Sequence, residues 1–169
     1  MQYSVPAILL LATLLSGCGT VYTILPHETV SYSSKYAPGT IVVNTSQRRL
    51  YLVKSGGQAV SYPIAVGEEG RSWTGMSTIS AKREWPDWNP PDQMRQRKPG
   101  LPVHMAGGAE NPMGARALYL GTSLYRIHGT NEPWTIGSAA SSGCIRMYND
   151  DIVELYNQTR VGATVIVQR

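Results

Sequence analysis

Short runs of β-branched and aromatic residues, separated by polar turns, make up most of the chain, a pattern that predicts strands rather than helices. Thr40-Ile-Val-Val43 and Arg49-Leu-Tyr-Leu-Val53 are two such runs. Ser55-Gly56-Gly57-Gln58 carries a hairpin turn signal, and Val60-Ser-Tyr-Pro-Ile-Ala-Val66 follows as the partner strand. Pro63 has no N–H to donate, so its side of that strand has to be an edge or a bulge. Further strands are expected at Met76 to Ser80, Ala117 to Leu120, Tyr125 to His128 and Ala163 to Val167. One segment has a helical period. Ile152, Leu155 and Tyr156 fall on one face, Asn149 can cap the start, and Asp150 and Asp151 suit its positive end. Gly162 lies beyond its end, before the last strand.

The beginning of the chain follows a different rule. Val5 to Leu15 is apolar apart from Pro6 and Thr13. That is shorter than the ~20 residues needed to span a bilayer and fits the core of a signal peptide. It ends in Leu15-Ser16-Gly17-Cys18, which resembles the bacterial lipobox, although Met1 to Ser4 holds no Lys or Arg. The expected organisation is therefore a lipoprotein signal peptide at 1–17, lipidation at Cys18 and a polar tether over 18–38. A single mainly β domain is expected over 39–169. Within it, Trp85 to Pro102 reads as a long loop rich in Trp, Pro and basic residues, and loops of that length are usually functional.

Composition narrows the picture. A chain of 169 residues, 42% of them hydrophobic, supports one core. Phe is absent, so Tyr and Trp supply the aromatic bulk. A net charge of +4 suits weak attraction to anionic polymers. The basic residues form no long run, which argues against a nucleic-acid partner.

The two cysteines, Cys18 and Cys144, have separate roles if Cys18 carries lipid. Cys144 is then the thiol of the mature protein, and its reactivity is what it would be used for. A thiol of pKa ~8.5 needs a base or a positive environment to act as a nucleophile. His128, at the end of an expected strand, is the candidate base. His104, after the Trp-rich loop, could line the same cleft, whereas His27 lies in the tether. Gly143 leaves the backbone exposed, so its N–H and that of Cys144 could face an oxyanion. Arg146 could lower the thiol pKa, bind a substrate carboxylate or serve as a structural ion-pair partner. Asn149 could cap the helix, touch substrate, or both. Trp85 and Trp88 are either loop packing or a substrate platform. A zinc site built from Cys144, His128 and His104 lacks paired-ligand spacing.

His128-Gly129-Thr130, then Ser141-Ser142-Gly143-Cys144-Ile145-Arg146 with Asn149, resembles the signature of the L,D-transpeptidase catalytic domain, or YkuD domain. Gln47-Arg48-Arg49-Leu50-Tyr51, and Gly107-Gly108 through Asn111-Pro112 to Gly114, extend the resemblance across roughly 39–169. The resemblance implies a β-sandwich-like fold with a short helix beside the site. It implies Cys144 as the acylated nucleophile, His128 as base and the Gly129 carbonyl as the group that orients the imidazole. Ser141, Arg146 and Asn149 are the candidate substrate-binding residues of the motif, and His104, Trp85 and Trp88 are candidates from the Trp-rich loop and just after it. Many relatives carry a second His where this chain has Ser142, which leaves the base role to His128. The substrate implied is the tetrapeptide stem of peptidoglycan at the periplasmic face of a bacterial membrane, with no metal or organic cofactor. The acceptor amine would come from another stem or from a protein lysine. Two rivals remain: a hydrolase using the same site, and a non-catalytic wall-binding lipoprotein.

Overall fold

The structure is a computed structural model and describes residues 26–169. The expected signal peptide and Cys18 lie outside the described residues. Strands Glu28–Ser31 (β1), Ile41–Asn44 (β2), Arg49–Val53 (β3), Gln58–Pro63 (β4), Gly75–Glu84 (β6), Arg116–Leu120 (β7), Arg126–His128 (β8), Ile145–Arg146 (β10) and Thr164–Gln168 (β11) form one nine-stranded sheet. Its order is β1-β4-β3-β2-β11-β6-β7-β8-β10. Val66–Gly67 (β5) and Ala139–Ser141 (β9) pair separately.

The sandwich-like expectation takes a specific form. β6 joins two halves of the sheet: Gly75 to Thr78 pairs with β11, and Ile79 to Glu84 pairs with β7, with a register shift between Ile79 and Ala81. Such a shift increases local twist. The halves share one core. Ile41, Leu50, Leu52 and Tyr62 come from one, Leu118, Leu120, Ile127 and Ile145 from the other, and helix α2 (Asn149–Gln158) adds Ile152 and Leu155.

Several boundaries differ from expectation. The strand expected over Val60 to Val66 ends at Pro63, and Val66 belongs to β5. Pro63 sits where the sequence demanded. Ile64 N–H donates to the Arg48 carbonyl, so the Arg49–Pro63 pair is the non-bonded kind, and β1 has already ended opposite Ser61. Within the stretch expected to be tether, Glu28–Ser31 instead adds an edge strand to β4. His27 beside it pairs with Asp151 of α2 at 2.7 Å. Inside the Trp-rich segment, Asp92–Arg97 forms a short helix, α1, with no buried residue.

Candidate active site

Cys144 is placed by a strand and a turn. β10 pairs in parallel with β8, Ile145 beside Ile127 and Arg146 beside His128. Cys144, one residue ahead of β10, is thereby level with Arg126 and on the same face as His128, a diagonal neighbour. The turn before it is pinned by Ser141, whose Oγ accepts from the Gly143 N–H (3.1 Å) and donates to the Cys144 carbonyl (2.5 Å). Gly143 has φ 117°, and a side chain there would run into the Tyr125 ring. That ring stacks on Trp73 (centroids 4.9 Å apart), whose Nε1–H donates to the Gly143 carbonyl (3.3 Å). The half-buried Cys144 thiol faces the Leu124 carbonyl at 3.8 Å. Burial pushes this thiol above its ordinary range, and hydrogen bonding and charge from Arg126 pull it back.

His128 is almost fully buried, and its Nδ1–H donates to the Gly129 carbonyl at 2.6 Å. That bond places the neutral ring's proton on Nδ1 and makes Nε2 the nitrogen that carries the lone pair. Burial, then the positive charge of Arg146, depresses the imidazole from 6.5 to about 4, against the opposing pull of the Gly129 and Met113 carbonyls. Both partners therefore rest neutral near pH 7, as a thiol and an imidazole rather than a thiolate and an imidazolium.

The segment holding His128 is clamped by Asn149. Its Oδ1 accepts from the Ala115 and Thr130 N–H groups, and its Nδ2 donates to the Thr130 carbonyl. A side chain at Gly114 or Gly129 would overlap this amide, which explains why glycine stands at both positions. The expectation that Asn149 caps α2 is corrected here: Tyr148 holds the cap position, and the helix start has no side-chain cap bond. Both amide groups of Asn149 are thus committed to the backbone of the segments around His128. Ser141 is likewise buried, with its hydroxyl engaged within its own turn. The Gly143 N–H is taken by Ser141 Oγ, so of the two expected oxyanion donors the Cys144 N–H is the one to consider.

Arg146 bonds Glu132 at 2.8 Å, with four-fifths of its side chain buried, which favours the ion-pair alternative. The Trp-rich loop residues have contacts of their own. His104, half-exposed, faces Asp87 at 3.2 Å. Trp88 bridges Met105, while Trp85 is anchored by its N–H to the Ala115 carbonyl and leaves its ring exposed. Among the described residues, no group of three or more His, Cys, Asp or Glu side chains converges as a metal site would require. Arg126, Trp73, Tyr125, Arg71 and Glu132 belong to the neighbourhood and were not anticipated. A Tyr-Arg pair just ahead of a strand-end histidine is the one signal that could have marked Tyr125 and Arg126.

Residues 38–167 match the YkuD family, the L,D-transpeptidase catalytic domain. The probable L,D-transpeptidase ErfK/SrfK of Escherichia coli is 40% identical over 134 residues, covering 74% of this chain but 42% of that protein. A Brucella melitensis crystal structure described as a probable carnitine operon oxidoreductase is 44% identical over 85% of this chain and 94% of its own, with a TM-score of 0.57. L,D-transpeptidase 3 from Mycobacterium tuberculosis shares the fold, with a TM-score of 0.61 over 77% of this chain and 60% of its own at 17% identity. The family match thus takes in the whole Cys144–His128 neighbourhood and nearly all of the sheet, and the chain belongs to the YkuD family of L,D-transpeptidase catalytic domains.

Proposed function

We propose that this protein is a cysteine L,D-transpeptidase acting on the tetrapeptide stems of peptidoglycan. The observation that carries this reading is the pair itself: a half-buried thiol on a rigid turn, beside a neutral histidine whose tautomer the Gly129 carbonyl holds. In this scheme Cys144 Sγ attacks the carbonyl of the diamino acid at the third stem position, and its proton passes to His128 Nε2. Negative charge develops on the carbonyl oxygen, facing the Cys144 N–H. The intermediate collapses to a thioester, and the terminal D-Ala leaves with the proton from His128. An incoming amine, deprotonated by His128, then resolves the thioester. Only proton and acyl transfers are involved, so the scheme calls for no metal or organic cofactor.

A stem amine as acceptor gives a 3–3 cross-link, a protein lysine gives a wall-anchored protein, and water gives hydrolysis. Incubation of the protein with tetrapeptide stems and a free amine, followed by product mass, tests the whole proposal. We expect loss of D-Ala with gain of the amine. Gain of water alone would make the enzyme a hydrolase. Unchanged stems would favour the wall-binding reading or the redox role named for the Brucella relative.

The proposed location is the periplasmic face of a bacterial membrane, with a lipid on Cys18. Cys18→Ser should move the protein from the membrane to the soluble fraction, and full membrane retention would refute the anchor.

A further inference from the structure

We propose that Arg126 is a catalytic residue of this site, its guanidinium receiving the Cys144 thiolate once the proton has gone to His128. The inference rests on Cys144 being the nucleophile. The parallel register that sets Arg146 beside His128 also sets Cys144 level with Arg126. The guanidinium is held there from two directions. Its Nη1–H donates to the Leu124 carbonyl at 2.7 Å, and its Cζ lies over the Tyr119 ring, 4.9 Å from the ring centre.

The Cys144 thiol faces the same Leu124 carbonyl, at 3.8 Å. One acceptor is thus shared between an S–H and a fixed cation. A neutral thiol can donate to that oxygen, but a thiolate cannot, because both atoms would then be acceptors. When the S–H bond breaks and the proton reaches His128 Nε2, the sulfur gives up the Leu124 oxygen and needs donors beyond the Arg126 backbone N–H it already faces. The Arg126 guanidinium carries several N–H groups in a rigid fork and is the donor already at that oxygen. Arg146 is less suited, since Glu132 neutralises it at 2.8 Å. The described contacts of Arg126 are the Leu124 carbonyl, the Tyr119 ring and the Cys144 sulfur, and none is a carboxylate. Its influence on the resting thiol already runs in the required direction, against the effect of burial.

The test is alkylation of Cys144 in the full chain by iodoacetamide across pH, read as the mass of the Cys144 peptide. This uncharged probe needs neither a stem peptide nor transfer activity. A chain that fails to transfer stems but shows the Arg126 effect would sink the proposed function and leave this inference standing. Arg126→Gln should raise the alkylation midpoint by about one pH unit and slow alkylation at pH 7 about tenfold. Arg126→Lys keeps the charge but not the fork and should give a smaller rise. An Arg126→Gln midpoint equal to wild type overturns the role. If Arg126→Gln does not fold, as read by thermal melting, a wild-type midpoint in Arg126→Lys overturns it instead.

Discussion

Cys144→Ser is expected to abolish the acyl-enzyme and reduce stem turnover by at least about 10⁴-fold, the scale on which loss of a nucleophile acts. The size of the effect follows from the site. A serine hydroxyl is far harder to ionise than a thiol, and the base offered to it is a histidine depressed to about 4. Such an imidazole can share the proton of a thiol, whose anion Arg126 helps to offset against the effect of burial. It has no comparable hold on an alcohol. The loss should be purely chemical. Serine is close to cysteine in size, and the turn is fixed by Ser141, Gly143 and Trp73 rather than by the sulfur. Melting temperature should therefore stay near wild type. The measurements are intact mass after exposure to a carbapenem, which family membership makes the expected acylating probe, and product mass with tetrapeptide stems. Wild-type turnover in the variant would remove Cys144 from the mechanism.

What the sequence disclosed depended on burial. β2, β3, β7 and β11 bury alternating or continuous apolar side chains, so their pattern was legible. β1 was not, because Glu28-Thr-Val-Ser31 is a mostly exposed edge strand whose pairing comes from backbone bonds to β4. β5, β9 and β10 are too short to show a period, and α1 buries nothing, so no apolar face marks it. The site divides in the same way. Cys144 and His128 were legible from their chemistry and their neighbours. The roles of Asn149 and Ser141 were not, since a polar side chain reads alike whether it faces substrate or folds back onto backbone. The place of Arg126 beside Cys144 was hidden because it comes from strand register, which pairs residues far apart in the chain.

His128→Ala is expected to lower the acylation rate by about 10²–10⁴-fold, the usual contribution of general acid–base catalysis. The loss reaches two steps, thiol deprotonation and protonation of the leaving amine, because Ser142 supplies no second imidazole. His104→Ala should stay near wild type, since that ring is half-exposed against Asp87. If the His104 variant collapses and the His128 variant does not, the base is misassigned. A second readout comes from stability, best followed in His128→Gln, which leaves less of a void. The folded imidazole titrates at about 4, against 6.5 when unfolded. The depressed value means that the unfolded chain binds this proton first as pH falls. The contribution to stability is therefore complete above pH 6.5 and is lost as pH falls from 6.5 towards 4, in total about 3 kcal/mol. Denaturant unfolding of wild type should lose that much more stability across the window than His128→Gln does. The same depressed pKa keeps the base unprotonated through pH 5–6, so the acid limb of wild-type kcat/KM should lie near pH 4 rather than 6.5. An acid limb at 6.5, with parallel stability curves for the two proteins, would mean that the imidazole is solvated and charged, and the neutral thiol–imidazole resting state would be wrong.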